Sequence, residues 1–114
     1  MPLEMFELDK TWTLQYTKRA REEFLTMDNT QQRLITNAIE KVLQNPLPRS
    51  EGGYGVPLSG ELAGYLKIKI LDAGIRVIYK LKREKDRMLV VMVGMRSYIY
   101  KDAIKFVREF RASH

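Results

Sequence analysis

The chain has 114 residues, 45% of them hydrophobic, which suits one domain with its own core and excludes long disorder and collagen-like or repeat architectures. It has no cysteine and its one histidine, His114, is the last residue, so disulfides, thiolate nucleophiles, Cys-based metal sites and imidazole zinc clusters are ruled out together. The net charge of +6 is unevenly spread: residues 1–63 hold 7 Lys/Arg against 9 Asp/Glu, residues 64–114 hold 13 against 5, and the basic half is the one that would attract a polyanion.

Residues 1–11 read as an N-terminal extension to a single domain spanning 12–114. Its first ten residues, MPLEMFELDK, alternate acids with apolar residues where a signal peptide would have a basic start and an apolar block. No apolar run approaches the ~20 residues of a membrane span, so a soluble, cytoplasmic protein without a membrane partner is expected. Trp12-Thr13-Leu14-Gln15-Tyr16 has the two-residue period of a half-buried strand, with Trp12 in the core. Thr17 suits an N-cap, and Ala20, Phe24 and Met27 place a short amphipathic helix over 18–27. After a turn and cap at Asp28-Asn29-Thr30, the stripe from Leu34 through Ile35, Ala38, Ile39 and Val42 to Leu43 predicts a second helix, from Gln31 to the Asn45-Pro46 stop. The two form an antiparallel helical hairpin.

Residues 46–64 hold three prolines and five glycines and predict an irregular connection. The GGYG within it is no phosphate-binding loop, since no Gly-Lys-Ser/Thr follows and no strand and helix flank it. Three strands come next, in an antiparallel meander: Leu66–Ile70, then Ile75–Leu81 after Asp72-Ala73-Gly74, then Met88–Val93 after a charged turn over 82–87. The last is apolar throughout, as a strand covered on both faces must be. Tyr79 shares parity with Val77 and Leu81 and belongs to the core. After Gly94, Asp102 is the expected cap of a final helix with Ala103, Phe106, Val107 and Phe110 inward. The fold class is α+β: an antiparallel or mixed sheet of about four strands packed against an N-terminal helical hairpin, with a C-terminal helix.

Function turns on the cations of the meander. Lys67 and Lys69 share the face opposite Leu66, Ile68 and Ile70. If Ile70 pairs with Ile75 across a four-residue connection, Lys69 lies opposite Arg76 and Lys67 opposite Ile78. Like charges directly opposite are destabilising by a few tenths to about 1 kcal/mol, and a bound polyanion would relieve the repulsion. Arg96, Tyr98 and Tyr100 follow the last strand within reach of that face. A merely wet sheet face accounts for the alternating lysines, and an edge gatekeeper for Arg76. Neither accounts for the arginine and tyrosines after Gly94.

The segment Val56-Pro57-Leu58-Ser59-Gly60-Glu61-Leu62-Ala63-Gly64-Tyr65-Leu66-Lys67-Ile68-Lys69-Ile70, then Gly74-Ile75-Arg76-Val77-Ile78-Tyr79 and Val93-Gly94-Met95-Arg96, resembles the signature of the RelE/ParE superfamily of bacterial and archaeal toxins. The order of elements agrees with that family's fold, and the resemblance covers roughly residues 12–107. It implies the toxin of a type II toxin-antitoxin system, a RelE-type mRNA interferase. Such an enzyme cuts message in the ribosomal A site by attack of the 2′-OH, without a cofactor or metal, and is neutralised by a RelB-like antitoxin. Carried over by motif, the catalytic set is Lys67, Lys69, Arg76, Arg96 and Tyr100, with Tyr98 the alternative to Tyr100. Tyr100 or Lys67 would be the base, and Lys69 or Arg96 would assist the leaving group. The alternative from the same superfamily is a ParE-like toxin that inhibits DNA gyrase by protein binding and cuts nothing. ParE-type relatives usually lack the full basic set.

Overall fold

The computed structural model describes residues 11–113, so the extension expected over residues 1–11 lies, but for Thr11, outside the described residues. The elements are β1 (Thr13–Tyr16), α1 (Lys18–Leu25), α2 (Asn29–Leu43), β2 (Val56–Pro57), β3 (Leu66–Ile70), β4 (Ile75–Lys82), β5 (Arg87–Met95) and α3 (Ile99–Ser113). They build a mixed five-stranded sheet in the order β1-β5-β4-β3-β2, in which only the β1–β5 pair is parallel. No helix among the described residues is long and apolar enough to cross a membrane.

Local chemistry sets the helix starts. The Thr17 hydroxyl accepts from the Ala20 N–H at 3.0 Å and caps α1. Asp28 and Gln31 form a reciprocal capping box that opens α2 at Asn29, two residues before the start expected at Gln31. Helix α1 ends at Leu25, where the Thr26 hydroxyl turns back to the Glu23 carbonyl at 2.6 Å.

Helices pack on both faces of the sheet. The helical hairpin covers one face, where Ile35, Ile39 and Val42 of α2 pack on Leu66, Ile68, Ile70, Val77, Tyr79, Val90 and Val93. Helix α3 covers part of the second face, where Ile99, Ala103 and Val107 pack on Ile78, Val91 and Met92. Trp12 and Tyr79 are buried, as their parity requires. Strand β5 serves both cores by a bulge. Ile78 pairs with Met92 and Tyr79 with Val90, so Val91 is the extra residue, and both Val91 and Met92 face the second core. The Thr17 hydroxyl donates to the Val91 carbonyl at 2.8 Å, and the Glu23 carboxylate accepts the Val93 N–H at 3.1 Å. Those bonds serve backbone groups just past the end of β1.

Three expectations are corrected. The sheet has five strands rather than about four, because Val56 and Pro57 pair with Lys67 and Leu66 from within the connection read as irregular; Pro57 is tolerated because the strand is at an edge. Helix α3 begins at Ile99, not after an Asp102 cap: a turn in which the Tyr98 N–H donates to the Met95 carbonyl leads straight in from β5, and Asp102 falls in the first turn. Phe110 does not point inward; it is 46% exposed, beyond the sheet's cover, with the Lys80 ammonium 5.7 Å from its ring centre. Phe106 is half-buried against the second core.

Candidate active site

The β3–β4 hairpin decides which cations meet. Its connection is a single 3-10 turn, Leu71–Ala73, closed by Gly74 in the left-handed region at φ 65°. That length pairs Ile70 with Ile75, Lys69 with Arg76 and Lys67 with Ile78, the register the spacing predicts. On the far side of β4, Arg76 pairs with Gly94. Because Ile68, Ile70, Ile75, Val77 and Val93 all point into the first core, Lys67, Lys69, Arg76 and Gly94 point to the second face. Lys69, Arg76 and Gly94 thus form one row across three strands, and Lys67 stands one step along it.

Gly94 leaves a seat that a tyrosine fills. A Cβ there would lie 3.2 Å from Cε1 and 3.3 Å from the phenol oxygen of Tyr98, so the Tyr98 ring rests on the strand beside Arg76. Tyr100, half-buried two residues on, holds its ring centre 5.6 Å from the Lys67 ammonium. The start of α3 therefore brings one phenol over the arginine row and another against the lysine. Arg96 lies two residues beyond Gly94. Its backbone N–H donates to the Gly74 carbonyl at 2.8 Å, which fixes it beside the β3–β4 turn at the end of the row, with its side chain exposed.

The electrostatics of the row are one-signed. Arg76 is 7% exposed and is the one buried charged side chain among the described residues; its Nη1 donates to the Ile75 carbonyl at 3.0 Å. Among the described residues no carboxylate forms an ion pair with Arg76, Lys67, Lys69 or Arg96, whereas other arginines have partners: Arg83 with Glu51, Arg108 with Glu61, Arg19 with Glu23 and Asp102. Burying a cation without a counter-charge costs free energy, and a bound anion would offset that cost. Of the candidate residues, Lys67 and Tyr100 meet directly, Lys69 and Arg76 are cross-strand neighbours, and Arg96 closes the row. Tyr98, which the sequence offers as the alternative to Tyr100, joins them on the same face, and its seat on Gly94 is the one addition the sequence reading lacks; a glycine interrupting an apolar strand two residues before the arginine was the available signal.

A mixed sheet carrying an N-terminal helical hairpin, with two phenols beside a row of cations that has no ion-pair partner among the described residues, defines a small α+β protein with a one-signed cationic face. No family model matches the chain. It is 28% identical over 94 residues to the mRNA interferase toxin RelE of Escherichia coli strain K12, an alignment covering 81% of this chain and 93% of that protein; the mRNA interferase RelE of Shigella flexneri matches to the same extent. Among solved structures, the isolated E. coli RelE toxin superposes with a TM-score of 0.64 at 26% identity, over 84% of this chain and 98% of that one. RelE in the intact E. coli RelBE toxin-antitoxin complex gives 0.59 at 25% identity, over 74% and 95%. In both sequence and fold the chain is thus similar to RelE toxins, the RelE-type branch of the RelE/ParE superfamily.

Proposed function

We infer that this chain, with residues 12–114 as its single domain, is the toxin of a type II toxin-antitoxin module and an endoribonuclease that cuts messenger RNA in the ribosomal A site. It works in the cytoplasm, where message and ribosomes are found, and is held inactive by a RelB-like antitoxin. The observation that carries the reading is the convergence of Lys67, Lys69 and Arg76 with Tyr98 and Tyr100 on one face, with Arg96 at the end of the row. The relatives named mRNA interferases, and the neighbours solved as RelB complexes, support it.

In the proposed reaction the 2′-OH loses its proton and its oxygen attacks the adjacent phosphorus. The O2′–P bond forms as the P–O5′ bond breaks in line, leaving a 2′,3′-cyclic phosphate and a 5′-OH end. No water is consumed. Negative charge spreads over the phosphoryl oxygens in the transition state, where fixed cations are most effective. Arg96 and Lys69, both exposed, are the groups that reach those oxygens and the departing O5′. Arg76 acts from beneath them, a permanent charge in a poorly solvated place. Tyr100 or Lys67, facing each other, takes the 2′-OH proton, and the phenol of Tyr98 fixes the near wall.

The test is to induce the chain and map message 5′ ends. Codon-positioned cuts are expected, and Arg96→Ala should abolish them while leaving the urea midpoint unchanged. Growth arrest without such cuts would sink the nuclease reading and return the ParE-like one.

A further inference from the structure

A groove of about 400 Å³ runs round the outer edge of β3, away from the catalytic row but sharing two of its residues, Lys67 and Lys69. It exists because β2 pairs only with Leu66 and Lys67, so that Ile68–Ile70 have no strand partner on that side among the described residues. Lys41, Arg49 and Tyr54 line the rest of its polar wall. The catalytic reading leaves those three without a role.

The loop that carries Tyr54 is tightly tied. Tyr54 N–H donates to the Asn45 carbonyl, Gly55 N–H to Leu47 and Arg49 N–H to Gly55, each at 2.9 Å. The buried phenol of Tyr79 donates to the Pro46 carbonyl at 2.8 Å. Gly53 passes so close to Leu47 that a Cβ would lie 2.0 Å from its carbonyl oxygen. A loop so held nonetheless presents the Tyr54 ring 51% exposed, with the Lys41 ammonium 5.9 Å from its centre. The loop's own acid, Glu51, is engaged by the Arg83 guanidinium through bonds of 2.7 and 2.6 Å. Lys41 and Arg49, with Lys67 and Lys69 at the rim that borders the row, therefore leave the groove positive.

We propose that this groove seats the RNA strand flanking the cleaved bond, with one base stacked on Tyr54 and neighbouring phosphates against Lys41 and Arg49. The inference rests on the nuclease reading. A preorganised, exposed ring in a groove lined by Lys41 and Arg49 matches a single strand, which offers a π-face and a charge at every step. Lys67 and Lys69, shared by groove and row, make the track continuous.

The experiment measures binding of a short, fluorescein-labelled 2′-O-methyl RNA, which cannot be cut, across a salt series, and cleavage of message on programmed ribosomes. In the double variant K41Q/R49Q the slope of log affinity against log salt should fall by about 1.4, two phosphate contacts at ~0.7 each. Tyr54→Ala should weaken binding about tenfold. In cleavage, both should raise KM while kcat changes less than about twofold. Unchanged slope, affinity and KM in a chain that cuts message overturn the groove alone; a wild-type chain that leaves message uncut overturns both readings. Variants that retain RNA affinity and lose an acidic antitoxin peptide assign the groove to the antitoxin, and the RNA proposal falls.

Discussion

Arg76 sits badly for stability and, in the proposed reaction, well for chemistry. It is buried opposite another cation, with one bond to a neighbouring carbonyl. Replacing a buried, unpaired charge with an apolar side chain of similar length is often neutral or stabilising. Arg76→Met is therefore expected to leave the unfolding free energy unchanged or raise it by about 1 kcal/mol, while message cleavage is lost; urea titration and cleavage read the two effects separately. Gly94 makes the complementary case. In Gly94→Ala the new methyl would lie 3.2 Å from the Tyr98 ring and push it off its seat by a few tenths of an ångström, so cleavage should fall measurably while the urea midpoint changes little.

At the scale of elements, the meeting of α1 with β5 holds the second face in place. Thr17 caps the helix and bonds the bulge at Val91 with the same hydroxyl. Thr17→Ala is expected to cost about 1–2 kcal/mol, measured as a fall in the denaturant midpoint. Glu23, which receives the Val93 N–H, has its pKa raised above the ordinary glutamate value of 4.5, chiefly by burial and against the pull of the Val93 and Arg19 bonds. A group raised in the folded state contributes stability that is present below its unfolded pKa and lost as pH climbs through the folded one. The stability of the wild type relative to Glu23→Gln should accordingly decline as pH rises from below 4.5. A difference that grows with pH would contradict the burial assignment.

For the whole molecule, the consequence is that one sheet serves two cores with different duties. The first, under the hairpin, holds the fold together. The second, under α3, also positions Tyr98 and Tyr100 through Ile99 between them, while Arg108 clamps the helix to Glu61 by two bonds of 2.7 Å. Truncating either core to alanine should cost about 2–4 kcal/mol. Ile39→Ala, on the first core, should leave kcat near wild type at a temperature where the chain stays folded. Ile99→Ala should lower kcat as well, because both phenols lose their support. Equal kcat values for the two variants would separate α3 from the chemistry.

Much of this was legible in one chain of residues. The two-residue alternation of Leu66, Ile68 and Ile70 with Lys67 and Lys69 determined that both lysines share a face, and a four-residue connection, once granted, that Lys69 lies opposite Arg76, because strand parity and turn length are local properties. The caps at Thr17 and Asp28 were equally local. The bulge at Val91 and the fifth strand at Val56-Pro57 were decided only by the tertiary structure. Each depends on what a distant segment packs against, and no window of neighbouring residues contains that information. The same holds for the groove: Lys41, Arg49, Tyr54 and Lys67 come from separate elements, and only the closure of the fold around the open edge of β3 makes them neighbours.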